Sequence, residues 1–452
     1  MSRVLVSFLG TSNPKKQESG YRQYRDANYT FSDGECITSS FIAKTLKTHY
    51  CIDRVILIGT LKSMWEEAYY AFSGKLDDIY TEIGEFCESA NHETEITKFP
   101  HKEDIESVLG LGSHVVLVKY GLNESEMNEN SKAILSLEQY LEDGDELFVD
   151  ITHSFRSLPL LLMNSLIFLQ GVSQKNISIR TVSYGMLDIT LEMGYTPVIE
   201  LNSILNMNNW ISGAAQFTES GNAYKIADLL MASGQSTMSD KRAARILRSF
   251  SDALNFNYIG SIQTQVKRLK SIDFEEMSDY GRLLVAPVVN RFLDKFKRAK
   301  LLSQYQYYLA EFQFEQKHYA STALCLSEAF VSFVAECLGL TTSHEHRNNA
   351  KSNLKGTWGK QTVLDNYFEK YASKLKRDGA PIFTAKELGV DQSCSEATLL
   401  KLSFRKCYND LNAFRIEVAH SISGNHSLSR MIHLLDDSLK CLRVYVKMDA
   451  RA

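Results

Sequence analysis

The chain has 452 residues, of which 44% are hydrophobic, 23% are charged and only 6 are proline. This composition excludes a small disulfide scaffold and a disordered chain, and it fits two or three folded domains. The 50 basic and 54 acidic residues give a net charge of -4. This charge excludes non-specific binding of nucleic acid through an overall positive potential, so any contact with nucleic acid must be local. The eight cysteines are scattered singly, and we therefore expect a cytoplasmic protein with reduced thiols and no bound metal.

Five short β-branched segments alternate with helix-period segments in the first two hundred residues. The five segments begin at Arg3, Arg54, His114, Glu146 and Ile177. Between them, apolar residues recur at helical spacing at 37–46, 64–72 and 157–169. Strands that alternate with helices usually pair in parallel beneath helical layers, so this pattern predicts a Rossmann-like α/β domain.

After about Pro197 the sequence is almost entirely helix-period, which predicts an all-α second part with long loops at 235–241 and 378–381. The start of the chain has the pattern of a first strand and not of a secretory signal. The longest apolar stretch, from Ser157, is too short and too interrupted for a membrane span. We expect a buried helix there and no membrane partner.

The segment FVDITHSFRSLPLLL places polar side chains between a buried strand, which ends at Asp150, and a helix. In an open α/β sheet, ligands bind outside the carboxyl ends of the strands, where helix N-terminal amides favour anionic groups. The residues that would face such a phosphate site are Thr152, His153, Ser154 and Arg156. The alternative is that the hydroxyls cap the helix and the arginine is solvated.

Two other strand ends are also small and hydroxylic. The first strand is followed by Gly10, Thr11 and Ser12, and the next by Thr60 and Ser63. Glycine lets a ligand approach the backbone, and hydroxyls offer donors without charge. Neither segment matches a phosphate-binding P-loop or a dinucleotide fingerprint, which disfavours an NTP hydrolase or a dehydrogenase.

Arg415 and His420 lie five residues apart near the end of a long amphipathic helix, which residues 421–424 should terminate. Five residues separate two side chains by about 140° on an ideal helix, so the pair shares a site only if the helix end distorts or the arginine reaches around. A neutral histidine can move a proton at a ribose hydroxyl while an arginine stabilises phosphate charge. The alternative is a solvated arginine and a capping histidine.

A second histidine-rich segment is HEHRNNAK, with His344, His346 and Arg347. Only Glu345 lies at ligand spacing, so we interpret the segment as a solvated loop and not as a metal site.

The quoted strand-end segments, together with YGMLDI and PVIELNSILNMNNW, resemble the type III CRISPR-associated proteins that join a CARF sensor domain to a HEPN ribonuclease domain. The resemblance covers most of the first 215 residues and extends more loosely to the helical half through Arg415-x4-His420. It implies a Rossmann-like CARF domain at 1–200, a helical linker region at 201–300 and a helical HEPN domain at 301–452.

The same resemblance implies that the CARF-like domain dimerises and binds a cyclic oligoadenylate, with four or six adenylates, as an allosteric activator across its two-fold axis. The residues that it assigns to the ligand are Gly10, Thr11, Ser12, Thr60, Ser63, Thr152, His153, Ser154, Arg156 and Gly185.

For the helical half, the resemblance implies that Arg415 and His420 of two protomers meet at a dimer face, with Asn412 orienting the site. They would cut single-stranded RNA without metal and leave a 2′,3′-cyclic phosphate. Two positions depart from the family pattern, because Ile416 follows the motif arginine where a polar residue is common and Ser154 stands where glycine is common. Two alternatives remain open: a sensor without nuclease activity that recruits a partner or DNA, and a sensor that also degrades its own ligand. A homodimer, or an oligomer of dimers, is expected.

Overall fold

The computed structural model describes residues 2–11, 15–16, 22–153, 157–232, 234, 236–340, 344–355, 363–420 and 427–447. Within these ranges the side chains of residues 15, 16, 22, 23, 344, 363, 364, 419 and 420 are not described. The chain divides into two compact units, residues 1–208 and 209–452. The three-domain boundaries expected from the sequence stay a prediction.

The first unit is a mixed sheet with helices. Its strands are β1 Arg3–Leu9, β2 Lys15–Lys16, β3 Arg22–Gln23, β4 Ala27–Thr30, β5 Cys36–Ser39, β6 Arg54–Gly59, β7 His114–Leu117, β8 Glu146–Asp150, β9 Ser178–Gly185 and β10 Thr196–Glu200. Its helices are α1 Ile42–His49, α2 Trp65–Ser73, α3 Asp78–Ser89, α4 Lys102–Leu109, α5 Glu124–Leu135, α6 Ser157–Gly171 and α7 Thr190–Met193, and α8 Asn202–Ser220 continues into the second unit.

Eight strands form one sheet in the order β5-β4-β10-β9-β8-β1-β6-β7, and β2 pairs with β3 separately. The five strands predicted from the sequence form its parallel part, β9-β8-β1-β6-β7. The sheet is not wholly parallel, because β10 runs antiparallel to β9 and β5 runs antiparallel to β4. The helix expected from residue 37 begins at Ile42, since Cys36–Ser39 is an edge strand with a half-exposed face.

After the first residue of β1 and of β6, every residue of β1, β6 and β8 is buried, which explains the mainly apolar sequences of these three strands. Along β1, Val4, Val6 and Phe8 face one apolar core while Leu5 and Leu9 face the other. The Rossmann-like prediction is confirmed.

The second unit is helical throughout its described part. Its helices are α9 Tyr224–Ala232, α10 Met238–Asn255, α11 Ile262–Lys270, α12 Ala286–Asp294, α13 Leu302–Glu315, α14 Tyr319–Cys337, α15 His344–Lys355, α16 Val363–Arg377, α17 Ala385–Leu388, α18 Glu396–His420 and α19 Leu428–Lys447. The loop predicted at 235–241 is shorter than expected, because a Thr237 capping box starts α10 at Met238. The turn at 378–381 lies between α16 and α17 as predicted.

Helix α14 is the central element of this unit. By length and composition it could cross a membrane, but 67% of its apolar stretch is buried inside the protein. Phe330 and Phe333 pack there against Phe404 of α18. The apolar sequence of α14 is therefore accounted for by its position in the core.

Candidate functional site

Five of the predicted ligand residues lie at the ends of three neighbouring strands. Gly10 and Thr11 follow β1, Thr152 and His153 follow β8, and Gly185 ends β9. These strands are adjacent and parallel, so their carboxyl ends meet at one edge of the sheet. We call these five residues the strand-end site. The convergence expected from the sequence is thus present in the fold.

A buried carboxylate organises the strand-end site from below. The Asp150 side chain is fully buried and accepts hydrogen bonds from the Ser7 hydroxyl at 2.6 Å, the Thr152 amide at 3.0 Å and the Thr152 hydroxyl at 2.5 Å. The Thr152 hydroxyl in turn accepts a bond from the Gly185 amide at 2.8 Å. One carboxylate therefore holds three neighbouring strands together at the edge where a ligand would bind.

Electrostatics at this point are set by burial. Burial raises the pKa of Asp150, although the bonds from Ser7 and Thr152 oppose the shift. Burial, together with the Asp150 charge, also raises the pKa of the nearby Tyr29. A hydroxyl carries one donor and two acceptor lone pairs, so the two bonds of Thr152 leave one lone pair to accept a further donor, such as a ribose hydroxyl.

His153 is fixed by an aromatic partner that the sequence analysis did not single out. Its ring stacks on Tyr24, with centroids 5.3 Å apart and planes at 12°. The Tyr24 hydroxyl donates to the Gly10 carbonyl at 2.7 Å. Burial lowers the pKa of His153 more than the Asp150 charge raises it. The imidazole is therefore neutral near pH 7, and it presents a flat, uncharged surface next to Gly10.

Thr60 and Ser63 are buried side chains that join two loops. The Ser63 hydroxyl donates to the Leu9 carbonyl at 2.7 Å and accepts from the Thr60 amide at 3.0 Å. Below them, Gly59 has room only for hydrogen, because a Cβ would lie 2.8 Å from the Trp65 ring. In the structure both hydroxyls hold the loop after β6 against β1, and their contact with a ligand stays a prediction.

The other predicted ligand residues, Ser12, Ser154 and Arg156, lie outside the described residues. The side chain of the predicted catalytic His420 does too, although its backbone ends α18.

In the helical unit, Asn412 and Arg415 are half-buried and lie one turn apart on α18. The Arg415 Nε atom is buried and has no hydrogen-bond partner among the residues that the structure describes. Burial raises the pKa of Tyr408, and the charges of Arg415 and Arg347 oppose this shift. Helix α15 therefore brings a second arginine into the electrostatic environment of the predicted catalytic one.

The structure corrects the interpretation of HEHRNNAK as a loop, because His344–Lys355 is helix α15. Ala350 and Leu354, one turn apart, are fully buried and attach this polar helix to the core. Its Arg347 forms an ion pair with Glu328 of α14. The apolar anchor consists of only two residues, which is why the periodicity was not visible.

The neighbouring Lys351 is also half-buried. Burial lowers the pKa of this lysine, and the cations Arg347, Arg415 and Lys355 lower it further. We refer to Arg347, Lys351, Lys355 and Arg415 as the Arg415 cluster. Sequence spacing relates three of its members, at i, i+4 and i+8 on α15, but their proximity to Arg415 depends on the tertiary fold.

Away from both sites, Asp33, Glu35 and His49 bring three potential metal-ligand atoms within 4.8 Å of one another, the one such group in the described part of the chain. The His49 ring is bonded to Glu35 and stacks on Phe31 at 3.7 Å. These contacts fasten the turn between β4 and β5 to the end of α1.

Comparison with known families agrees with this architecture. Residues 4–188 match the family model of the CARF domain of the CRISPR system endoribonuclease Csx1. Residues 206–304 match the second domain of the CRISPR-associated protein MJ1674. The chain therefore contains a CARF domain of the type III CRISPR-associated family. The strand-end site lies wholly within the CARF match.

A curated relative, CRISPR-associated protein MJ1674 of Methanocaldococcus jannaschii, is 33% identical in an alignment of 369 residues that covers 78% of this chain. The chain spans 57% of that relative's length. A solved structure of Enterococcus italicus Csm6 bound to cyclic hexa-2′-fluoro-hexa-dAMP aligns over 99% of this chain and 94% of its own, with 11% identity and a TM-score of 0.34. That superposition is too loose to bear on function.

Proposed function

We propose that this CARF protein is a cyclic-oligoadenylate-activated, metal-independent endoribonuclease that cleaves single-stranded RNA in type III CRISPR antiviral defence. The observation that carries the sensor half of the proposal is the strand-end site within the CARF match at 4–188. The Gly10 backbone lies beside the His153 side chain, and the fixed Thr152 hydroxyl and neutral His153 ring suit ribose hydroxyls and adenine faces. Gly185 is buried, and it is proposed to contribute through its amide, which positions the Thr152 hydroxyl. Ser12, Thr60, Ser63, Ser154 and Arg156 are proposed as further ligand contacts.

The active form is proposed to be a homodimer, or an oligomer of dimers, in the cytoplasm. Supporting this, α6 exposes Leu160 and Ile167, two turns apart, and α8 exposes Ile204 and Met207. Exposed apolar side chains that lie close together are typical of protein interfaces. A second copy of the same domain would cover these side chains and place two strand-end sites around one symmetric ring.

The chemistry is proposed to reside in the helical unit. His420 would accept the proton of a 2′-hydroxyl, whose oxygen attacks the adjacent phosphorus. The bond to the 5′-oxygen breaks, giving a 2′,3′-cyclic phosphate and a 5′-hydroxyl that takes up a proton. Arg415 would stabilise the charge on the phosphate, and Asn412, one turn away, would orient it. No metal is required for this step.

Ring binding would act by population shift. A ligand changes the equilibrium between two dimer arrangements only by its difference in affinity for them. The ring is therefore proposed to bind more tightly to the arrangement in which two Arg415 and two His420 side chains meet.

The test is cleavage of a fluorescent RNA by purified protein in EDTA, with cyclic tri-, tetra- or hexa-adenylate, beside Arg156→Ala and His420→Ala. We expect cleavage with one ring size, loss of ring binding in the first variant, and loss of cleavage alone in the second. Ring binding without cleavage would refute the nuclease and leave a sensor that recruits a partner or degrades its ligand.

A further inference from the structure

The basic residues of α15 form a cation group that the proposed catalytic step does not use. Arg347, Lys351 and Lys355 are spaced at i, i+4 and i+8, which is about 6 Å per step along the helix axis. Ala350 and Leu354 hold the helix on the core beside them. The three cations therefore form a row along one side of a fixed helix.

The charge in this row is poorly compensated. The groups that shift the pKa of Lys351 by their charge are Arg347, Lys355 and Arg415, all cations. Glu328 pairs with Arg347, and among the described residues no carboxylate is one of the charges that shift the pKa of Lys351. The whole chain has a net charge of -4, so this excess is a local feature.

Like charges in a partly desolvated position repel one another and raise the free energy of the empty protein. An anion that lies between two of these cations reduces their repulsion. A chain of phosphates can do so along the whole row, because successive phosphates can contact successive cations. Helix α15 packs against α18, which carries Arg415, and the Arg415 charge acts on Lys351. This contact connects the row to the proposed scissile phosphate.

We infer that Lys351 and Lys355, with Arg347, bind the backbone phosphates of the single-stranded RNA substrate next to the scissile phosphate at Arg415. This inference rests on the proposed function and deepens it, because it assigns substrate contacts to a helix outside the Arg-x4-His motif. Binding would be independent of base sequence, since phosphates carry no sequence information.

The test uses an all-2′-O-methyl RNA, which lacks the attacking hydroxyl, to measure affinity in the ring-activated protein as a function of salt. Lys351→Gln and the double variant Lys351→Gln/Lys355→Gln are compared with Lys374→Gln. Lys374 is an exposed lysine of α16 and serves as the matched control. Each lost phosphate contact should lower the slope of log affinity against log salt by about 0.7.

We expect a fivefold to twentyfold weaker affinity for the single variant, a larger loss for the double variant, and wild-type behaviour of Lys374→Gln. With cleavable RNA, KM should rise while kcat stays within about twofold. Unchanged affinity and salt slope in the double variant would overturn the inference while leaving the nuclease intact. If the wild type binds the 2′-O-methyl RNA with the predicted salt slope but cuts no RNA, the nuclease proposal fails. The inference that the α15 cations bind RNA phosphates would still hold.

Discussion

The strand-end site and the Arg415 cluster differ in how far their polar groups are paired with partners. At the strand ends, Asp150 receives three hydrogen bonds and the Thr152 hydroxyl is bonded on both sides. In the Arg415 cluster, cations outnumber the one paired carboxylate, and Arg415 Nε is buried without a partner in the part of the chain that the structure describes. The first site is rigid before any ligand arrives, whereas the second is completed by an anion.

This difference suits the two proposed tasks. A sensor must discriminate one ring from other nucleotides, and preorganised hydrogen bonds give that discrimination because no ordering cost is spent on binding. A nuclease must attract any RNA strand and stabilise charge as it develops, and fixed cations do both. The following substitutions test the contrast.

The largest effect is expected for His420→Ala. Loss of a general base should lower ring-activated RNA cleavage by about 10²- to 10⁴-fold, while the affinity for the ring stays unchanged. Gel-resolved cleavage rates and calorimetric ring binding measure the two quantities on the same preparation. His433→Ala, on the exposed side of α19, is the control and should retain wild-type cleavage. Equal rates for His420→Ala and wild type would show that this histidine has no part in the reaction.

Thr152→Val tests whether the strand-end site depends on the two hydrogen bonds of the Thr152 hydroxyl. Valine has the same shape but leaves the Gly185 amide without an acceptor and removes one of the donors to the Asp150 carboxylate, which should cost about 1–3 kcal/mol of folding stability. Ring affinity should fall at least tenfold, and Thr152→Ser, which keeps the hydroxyl, should remain close to wild type. Urea unfolding and ring titration provide the two readouts. Serine and valine variants with the same affinity would contradict the positioning role.

The comparison also shows what the sequence can reveal. The five strands of the parallel part were predictable, because burial on both faces of the inner ones leaves mainly apolar runs, such as Val4 to Leu9 with Ser7 as its one polar residue. Strands β4, β5 and β10 were missed, because they are short and contain exposed or half-buried residues at alternate positions, so that they lack such runs. Gly10 and Thr152 were identified because the ends of parallel strands share an edge, whereas Gly185 was assigned by the family resemblance.

The remaining parts of the sites depend on contacts distant in sequence. Tyr24 reaches His153 from a segment 129 positions earlier, and no local pattern marks it. The polar segment from His344 predicted a loop, because its helix is anchored by only Ala350 and Leu354. The burial of Ser63 likewise follows from its bond to Leu9, 54 residues away.

Gly59→Ala tests the packing beneath the strand-end site. Its Cβ would lie 2.8 Å from the buried Trp65 ring and 2.9 Å from Ser63 Oγ, so we expect a loss of about 1–3 kcal/mol of folding stability. Gly171→Ala is the control, because nothing lies within 4 Å of its added Cβ at the end of α6, and it should be neutral or slightly stabilising. Thermal melts compare the two. An equal effect of both substitutions would show that the strand ends are not tightly packed.

The smallest effect on stability is expected for substitution of His101, which lies outside both sites. Because its contribution to stability depends on pH, it must be known before a pH profile of cleavage is interpreted. Hydrogen bonds to Glu82 at 2.6 Å and to Asp104 at 2.9 Å raise the pKa of this histidine. A raised pKa in the folded state means that the contact stabilises the protein fully below the unfolded value, about 6.5, and that the stabilisation is lost as pH rises through the folded value.

His101→Asn should therefore destabilise the protein slightly at about pH 5.5 and much less at about pH 8.5. Asparagine is the appropriate replacement, because position 101 has a left-handed backbone with φ of 54° that asparagine tolerates. Urea unfolding at both pH values measures the difference, with exposed His92→Asn as the control. A proton-accepting His420 would lose activity as pH falls, whereas the His101 contact strengthens, so the two effects have opposite signs. An equal stability difference at both pH values would show that the His101 contact does not contribute to the pH dependence of stability. A loss of cleavage at acidic pH would then be attributed to the proposed catalytic residues, Arg415 and His420.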